Sequence, residues 1–322
     1  MDVPATILAV TREIWEDRGV ATLTRHYAPD IVVRSPASIV VGNQGVIAAT
    51  LATLHEFPDR QLYGEDVIWC DAPHGAALSS HRLVCTATHA REGAYGAPTG
   101  RQLRYRILAD CHLRADGQID DEWLVRDQGA IATQLGLSAV DYARQLIAQE
   151  GGPESCVPPF TPARDVVGPY AGTGNDDPLG ADHAGLLTEI MAGNLAVIRD
   201  RYDRACWIAT PGGVEDVGIA AADAFWLGLR SAFPDAAFEI HHVIGRDDPG
   251  MPPRSALRWS LTGTHSGWGR YGRPTGAPVH VMGISHAEFG ALNGDEMRLR
   301  REWTLVDDTA IWKQILLHTG AL

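Results

Sequence analysis

Lysine is nearly missing: of the 27 lysine and arginine residues in this 322-residue chain, one alone, Lys313, is a lysine. Schiff-base chemistry, a phosphate-loop lysine or a lysine general base would all have to use that residue, which sits in an Ile-Trp-Lys-Gln-Ile run that reads as helix surface. Cysteine is scarce as well. Five residues without metal-like spacing fit free thiols in a reducing cytoplasm, not a disulfide framework. Positive charge is in deficit, with a formal net charge of −13, so a phosphate backbone would be repelled and nucleic acid is not expected as a partner. No run approaches the ~20 apolar residues of a membrane span, and the start Met1-Asp2-Val3-Pro4 has no basic leader region. Neither His-Glu-x-x-His nor paired Cys-x-x-Cys occurs, and the neighbours His241 and His242 fall on opposite faces of a strand, so no metal or other cofactor is expected.

The chain does contain an internal repeat. Phe57-Pro58-Asp59 returns as Phe233-Pro234-Asp235, Thr88-His89 as Thr264-His265, and Tyr95-Gly96-Ala97-Pro98-Thr99-Gly100 as Tyr271-Gly272-Arg273-Pro274-Thr275-Gly276. Glu122-Trp123 and Asp127 return as Glu302-Trp303 and Asp307, after a short insertion expected around Gly290–Gly294. Two duplicated domains follow, at 1–150 and 182–322, joined by a Gly- and Pro-rich linker at 151–181.

Each half reads helices first and strands afterwards. Helices are expected near Pro4–Trp15 and Asn43–Glu56, and near His183–Asp200 and Val214–Phe233. Strands are expected at Gln61–Trp69, Ala76–His89, Gln102–Arg114 and Gln118–Asp127, and at Phe238–Gly245, Ser255–His265, Val279–Phe289 and Met297–Asp307. Helices leading into an antiparallel meander imply an α+β fold with the helices on one sheet face.

Strand parity then points at candidate residues. Ile119, Trp123, Val125 and Asp127 share a face with Asp121 the polar exception, as do Leu299, Trp303, Leu305 and Asp307 with Arg301 the exception, so each aspartate is expected to end an apolar face that looks into its domain. His81, Leu83, Cys85, Ala87 and His89 share one face of their strand, as do Leu257, Trp259, Leu261 and His265, so His89 and His265 are expected to reach the same interiors. Asp110 and His112 have the parity of Arg104 and Arg106, opposite Ile107 and Cys111, and so face away from the more apolar side.

The ordered motifs Phe-Pro-Asp, Thr-His, Gly-x-Pro-Thr-Gly and Glu-x-Trp followed by Asp resemble the SnoaL-like polyketide cyclases, of the superfamily of nuclear transport factor two and ketosteroid isomerase. The resemblance covers both halves outside the linker. It implies two tandem cone-shaped α+β barrel domains, each with N-terminal helices packed on a curved antiparallel sheet. It also implies a cofactor-independent acid–base enzyme acting on an apolar carbonyl or polyketide-like compound, by proton abstraction with ring closure or isomerisation. The family's acid/base falls on Asp127 and Asp307, and its second catalytic polar residue at or near Asp110, His112 or His286. Trp123, Trp303, Trp259 and Arg106 are candidates for substrate contact. Two other readings remain open: a non-catalytic ligand-binding or scaffold protein of the same fold, and a dehydratase or hydrolase using the same pocket. In either case the tandem would form an intramolecular pseudo-dimer, with further homo-oligomerisation open.

Overall fold

The computed structural model describes residues 1–291 and 297–321, so the insertion expected around Gly290–Gly294 lies largely outside the described residues. The first unit opens with α1 (Val3–Thr11), where Asp2 caps the helix by accepting from the Ala5 N–H and Pro4 sits in the first turn. It continues through α2 (Leu23–His26), β1 (Tyr27–Ser35), β2 (Ser38–Val41), α3 (Asn43–Glu56), β3 (Gln61–Asp71), β4 (Ala77–Thr88), β5 (Gln102–Leu113) and β6 (Ile119–Arg126), ending with α4 (Gln128–Leu135) and α5 (Ala139–Gln149). The second unit repeats this order: α6 (Pro178–Met191), α7 (Ala196–Arg201), β7 (Tyr202–Thr210), β8 (Val214–Val217), α8 (Ile219–Ala232), β9 (Ala237–Arg246), β10 (Arg254–Thr264), β11 (Pro278–Gly290), β12 (Arg298–Val306) and α9 (Asp308–Thr319). Each unit forms a six-stranded sheet, in the orders β2-β1-β6-β5-β4-β3 and β8-β7-β12-β11-β10-β9. The result is two tandem α+β domains. Among the described residues no helix is long and apolar enough to cross a membrane, and all five cysteines are buried and free.

The four strands expected in each half are present. Two more precede them. β1 and β7 run parallel to the last strands β6 and β12, and Val214–Val217, expected as helix, is the short edge strand β8. Periodicity hides these strands because β1 carries Pro29 and β8 is exposed along its whole length.

The repeated motifs turn out to be a latch at one end of each sheet. Asp59 accepts from the Thr88 N–H at 2.7 Å, and the His89 ring meets Thr99 Oγ1 of the Pro-Thr-Gly loop at 3.2 Å. Asp235 and Thr264, and His265 and Thr275, repeat both contacts at 2.9 and 3.0 Å. The loop between β4 and β5, and its twin between β10 and β11, are tied to the sheet by the residues that carry the repeat.

The two sheets pack face to face. Ile68, Leu78, Leu108, Trp123 and Val125 of the first unit meet Ile244, Ala256, Met282, Ile284 and Leu305 of the second in one buried cluster. The 151–181 segment lies across both units: Phe160 N–H donates to Pro36, Tyr170 N–H to Asp121, and Val243 N–H to Thr173.

The interiors of the two units differ. On the register of β4–β5 and β10–β11, Leu83 opposite Ile107 becomes Trp259 opposite Gly283. A Cβ at Gly283 would come within 2.3 Å of the Trp259 ring, so glycine there is what admits the indole. In the helices, Ala49 and Thr50 of α3 stand where α8 has Phe225 and Trp226. Trp226 and Trp259 are wholly buried and pack at 6.1 Å between ring centroids, so large aromatic rings fill the second interior. Trp259→Ala should therefore cost about 3–5 kcal/mol of unfolding free energy in urea titrations; a loss below about 1 kcal/mol would show that interior to be loosely packed.

Candidate functional site

Inside the first unit, the smaller residues leave a cavity of about 310 Å³. Its wall is mostly apolar, from Ile7, Val10, Ile14 and Trp15 at the N-terminal helix to Leu83, Ile107 and Leu124 on the sheet. Polar and ionisable side chains interrupt it, among them Tyr27, Arg60, His81, Glu122 and Arg126, with Gln128 and Asp307 at one end. An apolar cavity with few convergent polar groups is the usual form of a small-molecule site.

Glu122 is fixed by β6 and takes the Tyr27 hydroxyl on Oε2 at 3.0 Å. Burial pushes its carboxyl up to about 7, against the opposing effect of that hydrogen bond. His81, on β4, is pushed by burial down to about 3, so its imidazole is neutral at physiological pH, and its Nε2 has no hydrogen-bond partner. Arg60 follows Phe57-Pro58-Asp59 and lies over the Trp15 ring at 4.5 Å, with Nε donating to Tyr105 Oη at 2.9 Å. Arg126 ends β6, and its buried Nε has no partner.

A β-bulge decides which residues form this set. Along β6, Asp121 pairs with His112 but Ile119 pairs with Leu113, so Asp120 is an extra residue and the faces exchange there. Ile119, Glu122, Leu124 and Arg126 look into the cavity. Trp123, Val125 and Asp127 look the other way.

This corrects the parity reading. The apolar face ending in Asp127 is the contact between units, and Asp127 does not line the first unit's cavity. It caps α4 by accepting from the Ala130 N–H, and it accepts from the Gly212 and Gly213 N–H groups of the second unit, each at 2.9 Å. Burial still pushes it up to about 6. Asp307 caps α9 through Oδ1 and is pushed by burial up to about 7. It does reach a cavity, but the first unit's: with Arg126 and Gln128 it lines the passage from the cavity to an adjoining cleft. Pro36-Ala37 stands opposite it where Gly212-Gly213 stands opposite Asp127.

The other expected residues are placed as follows. His89 and His265 belong to the latches at the strand ends and do not line the cavity. Asp110, His286 and Ser80 form one buried chain between the units: Ser80 Oγ donates to Asp110 at 2.6 Å, His286 Nε2 lies 2.8 Å from the same hydroxyl, and Arg258 pairs with Asp110 at 3.0 Å. His112 pairs with Asp120 at 2.6 Å and its ring meets Tyr170 of the linker segment. Trp123 lies under Arg258 at 3.7 Å, Trp303 under Arg82 at 3.4 Å, and Arg106 reaches Glu65 and Glu215; all three serve the contact between units. Trp259 is core of the second unit.

Comparing the halves finds the cavity residues that the repeated motifs leave unmarked. Arg60, His81 and Arg126 stand where the second unit has Ala236, Leu257 and Val306. The Tyr27–Glu122 pair recurs as Tyr202–Glu302, at 2.7 Å, sealed among core side chains and with its carboxyl again raised to about 7. Polar residues special to one half mark the half with the cavity. Among the described residues no group of three metal-ligating side chains gathers.

A raised carboxyl pKa makes a signed prediction. A buried carboxylic acid that resists ionisation stabilises the fold fully below its unfolded pKa, and that contribution is lost as pH rises through about 7. The stability of the wild type relative to Glu122→Gln should fall by roughly 3 kcal/mol between pH 4.5 and pH 8. A flat difference across that range would mean Glu122 ionises as an exposed acid does. Asp127→Ala, which removes a helix cap and two hydrogen bonds between units, should cost about 2–3 kcal/mol in the same assay; a neutral effect would remove the clamp.

The SnoaL-like polyketide cyclase family matches residues 5–135 and again residues 181–315. None of the curated proteins matches the chain. Among solved structures, IdmH of Streptomyces antibioticus, described as a candidate polyketide cyclase, is 25% identical over 41% of this chain and 97% of its own, with a TM-score of 0.35. AclR of Streptomyces galilaeus, described as a candidate hydroxylase, is 24% identical over 40% of this chain and 93% of its own, with a TM-score of 0.34. A candidate polyketide cyclase of Bacillus cereus is 18% identical over 46% and 93%, with a TM-score of 0.35. Each spans the length of one unit. With both units matched and together making up most of its length, the chain belongs to the SnoaL-like polyketide cyclase family.

Proposed function

We propose that the first unit is a cofactor-independent acid–base enzyme that takes an apolar carbonyl compound, and that Glu122 is its base. One observation carries this reading: a mostly apolar cavity holds a carboxyl whose pKa burial has moved to about 7, where it exists in both forms near neutral pH. The Glu122 carboxylate removes a proton from the carbon beside the carbonyl, and the C–H electron pair moves to the carbonyl oxygen as an enolate. Tyr27 holds the carboxylate in place through its hydroxyl. His81, neutral and with Nε2 free, is suited to donate a hydrogen bond to the developing oxyanion, as neutral imidazoles do in other enolising enzymes. The enolate carbon then attacks a second carbonyl to close a ring, the new alkoxide taking back the proton held by Glu122, or the enolate recovers that proton at another position.

The second unit takes a different part. With Trp226 and Trp259 filling its interior, it supports a bracing role, with Asp127, Gly212 and Gly213 clamping it to the first. On this reading Asp127 is structural and Asp307 shapes the entrance to its neighbour's cavity.

The test is exchange of the α-protons of 2-tetralone into D₂O, followed by ¹H NMR. The wild type should accelerate exchange with a rate that climbs through pH 7 to a plateau as Glu122 ionises. Glu122→Gln should lose at least about 100-fold, and Asp127→Asn should keep most of the rate. Undiminished exchange by Glu122→Gln, or none by the wild type, would sink the assignment.

A further inference from the structure

We propose that the Arg126 end of the cavity is a subsite for a carboxylate carried by the substrate, so that an apolar carbonyl acid is preferred to a neutral ketone of the same shape. The inference rests on the reading of the cavity as a substrate site and adds the substrate's charge.

Two cations line this cavity without a partner acid. Arg60 is 1% exposed, and its Nη1 and Nη2 make no hydrogen bond. Its other close neighbour is the Cys85 sulfur, a weak acceptor and no substitute for an anion. Arg126 has an orphaned Nε, and neither arginine forms an ion pair among the described residues. Burying a guanidinium without a counter-charge is expensive, and removing the cost takes an anion. Both line the cavity, and both charges are felt by the Tyr105 hydroxyl and the Cys85 thiol, which puts them toward the same end of it. Asp307 lies at the same passage, yet its Oδ1 is taken by the Thr309 and Ala310 N–H groups and it pairs with neither arginine.

The comparison between the units is independent support. The second unit keeps the Tyr–Glu pair but has Ala236 and Val306 in place of the two arginines, and its interior is filled. The arginines go with the cavity; the Tyr–Glu pair does not. Were they needed to hold the fold, the filled unit would need them too.

The sheet also sets a spacing. Glu122 pairs with Cys111 and Arg126 with Ile107 on β5, four residues apart on the strand, so acid and cationic ends are separated by roughly 13 Å of backbone. A transient oxyanion would leave the guanidinium groups uncompensated before reaction. A fixed carboxylate compensates them in the bound state, in the bidentate geometry arginine favours, and orients the reacting carbon toward Glu122.

Isothermal titration at pH 6.5 with 2-naphthoate and its neutral counterpart 2-naphthamide tests this. The wild type should bind the acid at least tenfold more tightly. Arg126→Met and Arg60→Met should each lose most of that preference while binding the amide within about twofold of wild type, which also reports that they fold. Arg126→Lys, keeping the charge, should retain part of the preference. Equal binding of the two probes, failure of both to bind, or a preference that survives in the double Met variant would overturn the subsite. Glu122→Gln should keep the naphthoate preference. If it does and yet exchanges 2-tetralone protons normally, the acid–base reading fails and the subsite stands; lost preference with an inactive Glu122→Gln is the reverse.

Discussion

The contact between the two sheets is the constraint from which the rest follows. Each sheet has two faces, and both are buried: one around its own interior, the other against its neighbour. A face buried against another protein surface is as apolar as a face around a core, so hydrophobic alternation alone does not say which is which. The second kind of burial also demands that polar groups between the sheets find partners. Asp110 with Arg258 and Ser80, Arg254 with Asp66, and Asp127 with two glycine amides are the result. Residues that look catalytic in isolation are used there to hold one unit to the other.

The architecture was legible in the sequence because it is written twice. Phe-Pro-Asp, Thr-His and Pro-Thr-Gly recur since each is a part of the same latch, and a latch works only with those donors and acceptors in place. α3 fell where its apolar stripe placed it, from Asn43 to Glu56. The site was harder to read for a specific reason. One extra residue, Asp120, turns β6 over, and parity counted through it assigns Glu122 and Arg126 to the wrong side. The cue that survives a bulge is a difference between copies. Arg60 after Phe-Pro-Asp, against Ala236 at the same place, needs no knowledge of strand faces.

The same fold also carries two different interiors within one chain. The two units share order, register and even a buried Tyr–Glu pair, yet one encloses a space and the other encloses indole rings. The change required few positions: Leu83 against Trp259, Ile107 against Gly283, Thr50 against Trp226. Glycine at 283 and tryptophan at 259 make sense only together, since either alone would leave a void or a clash.

Covalent linkage is what makes such divergence available. In an assembly of two identical chains, any substitution that closed one hollow would close both, and any arginine introduced for a ligand would be buried twice, once uselessly. Here the cost of an uncompensated cation falls on a single half, while its neighbour is free to become denser. The asymmetry between Leu83 and Trp259 is thus a difference in filling that a symmetric assembly has no means to encode.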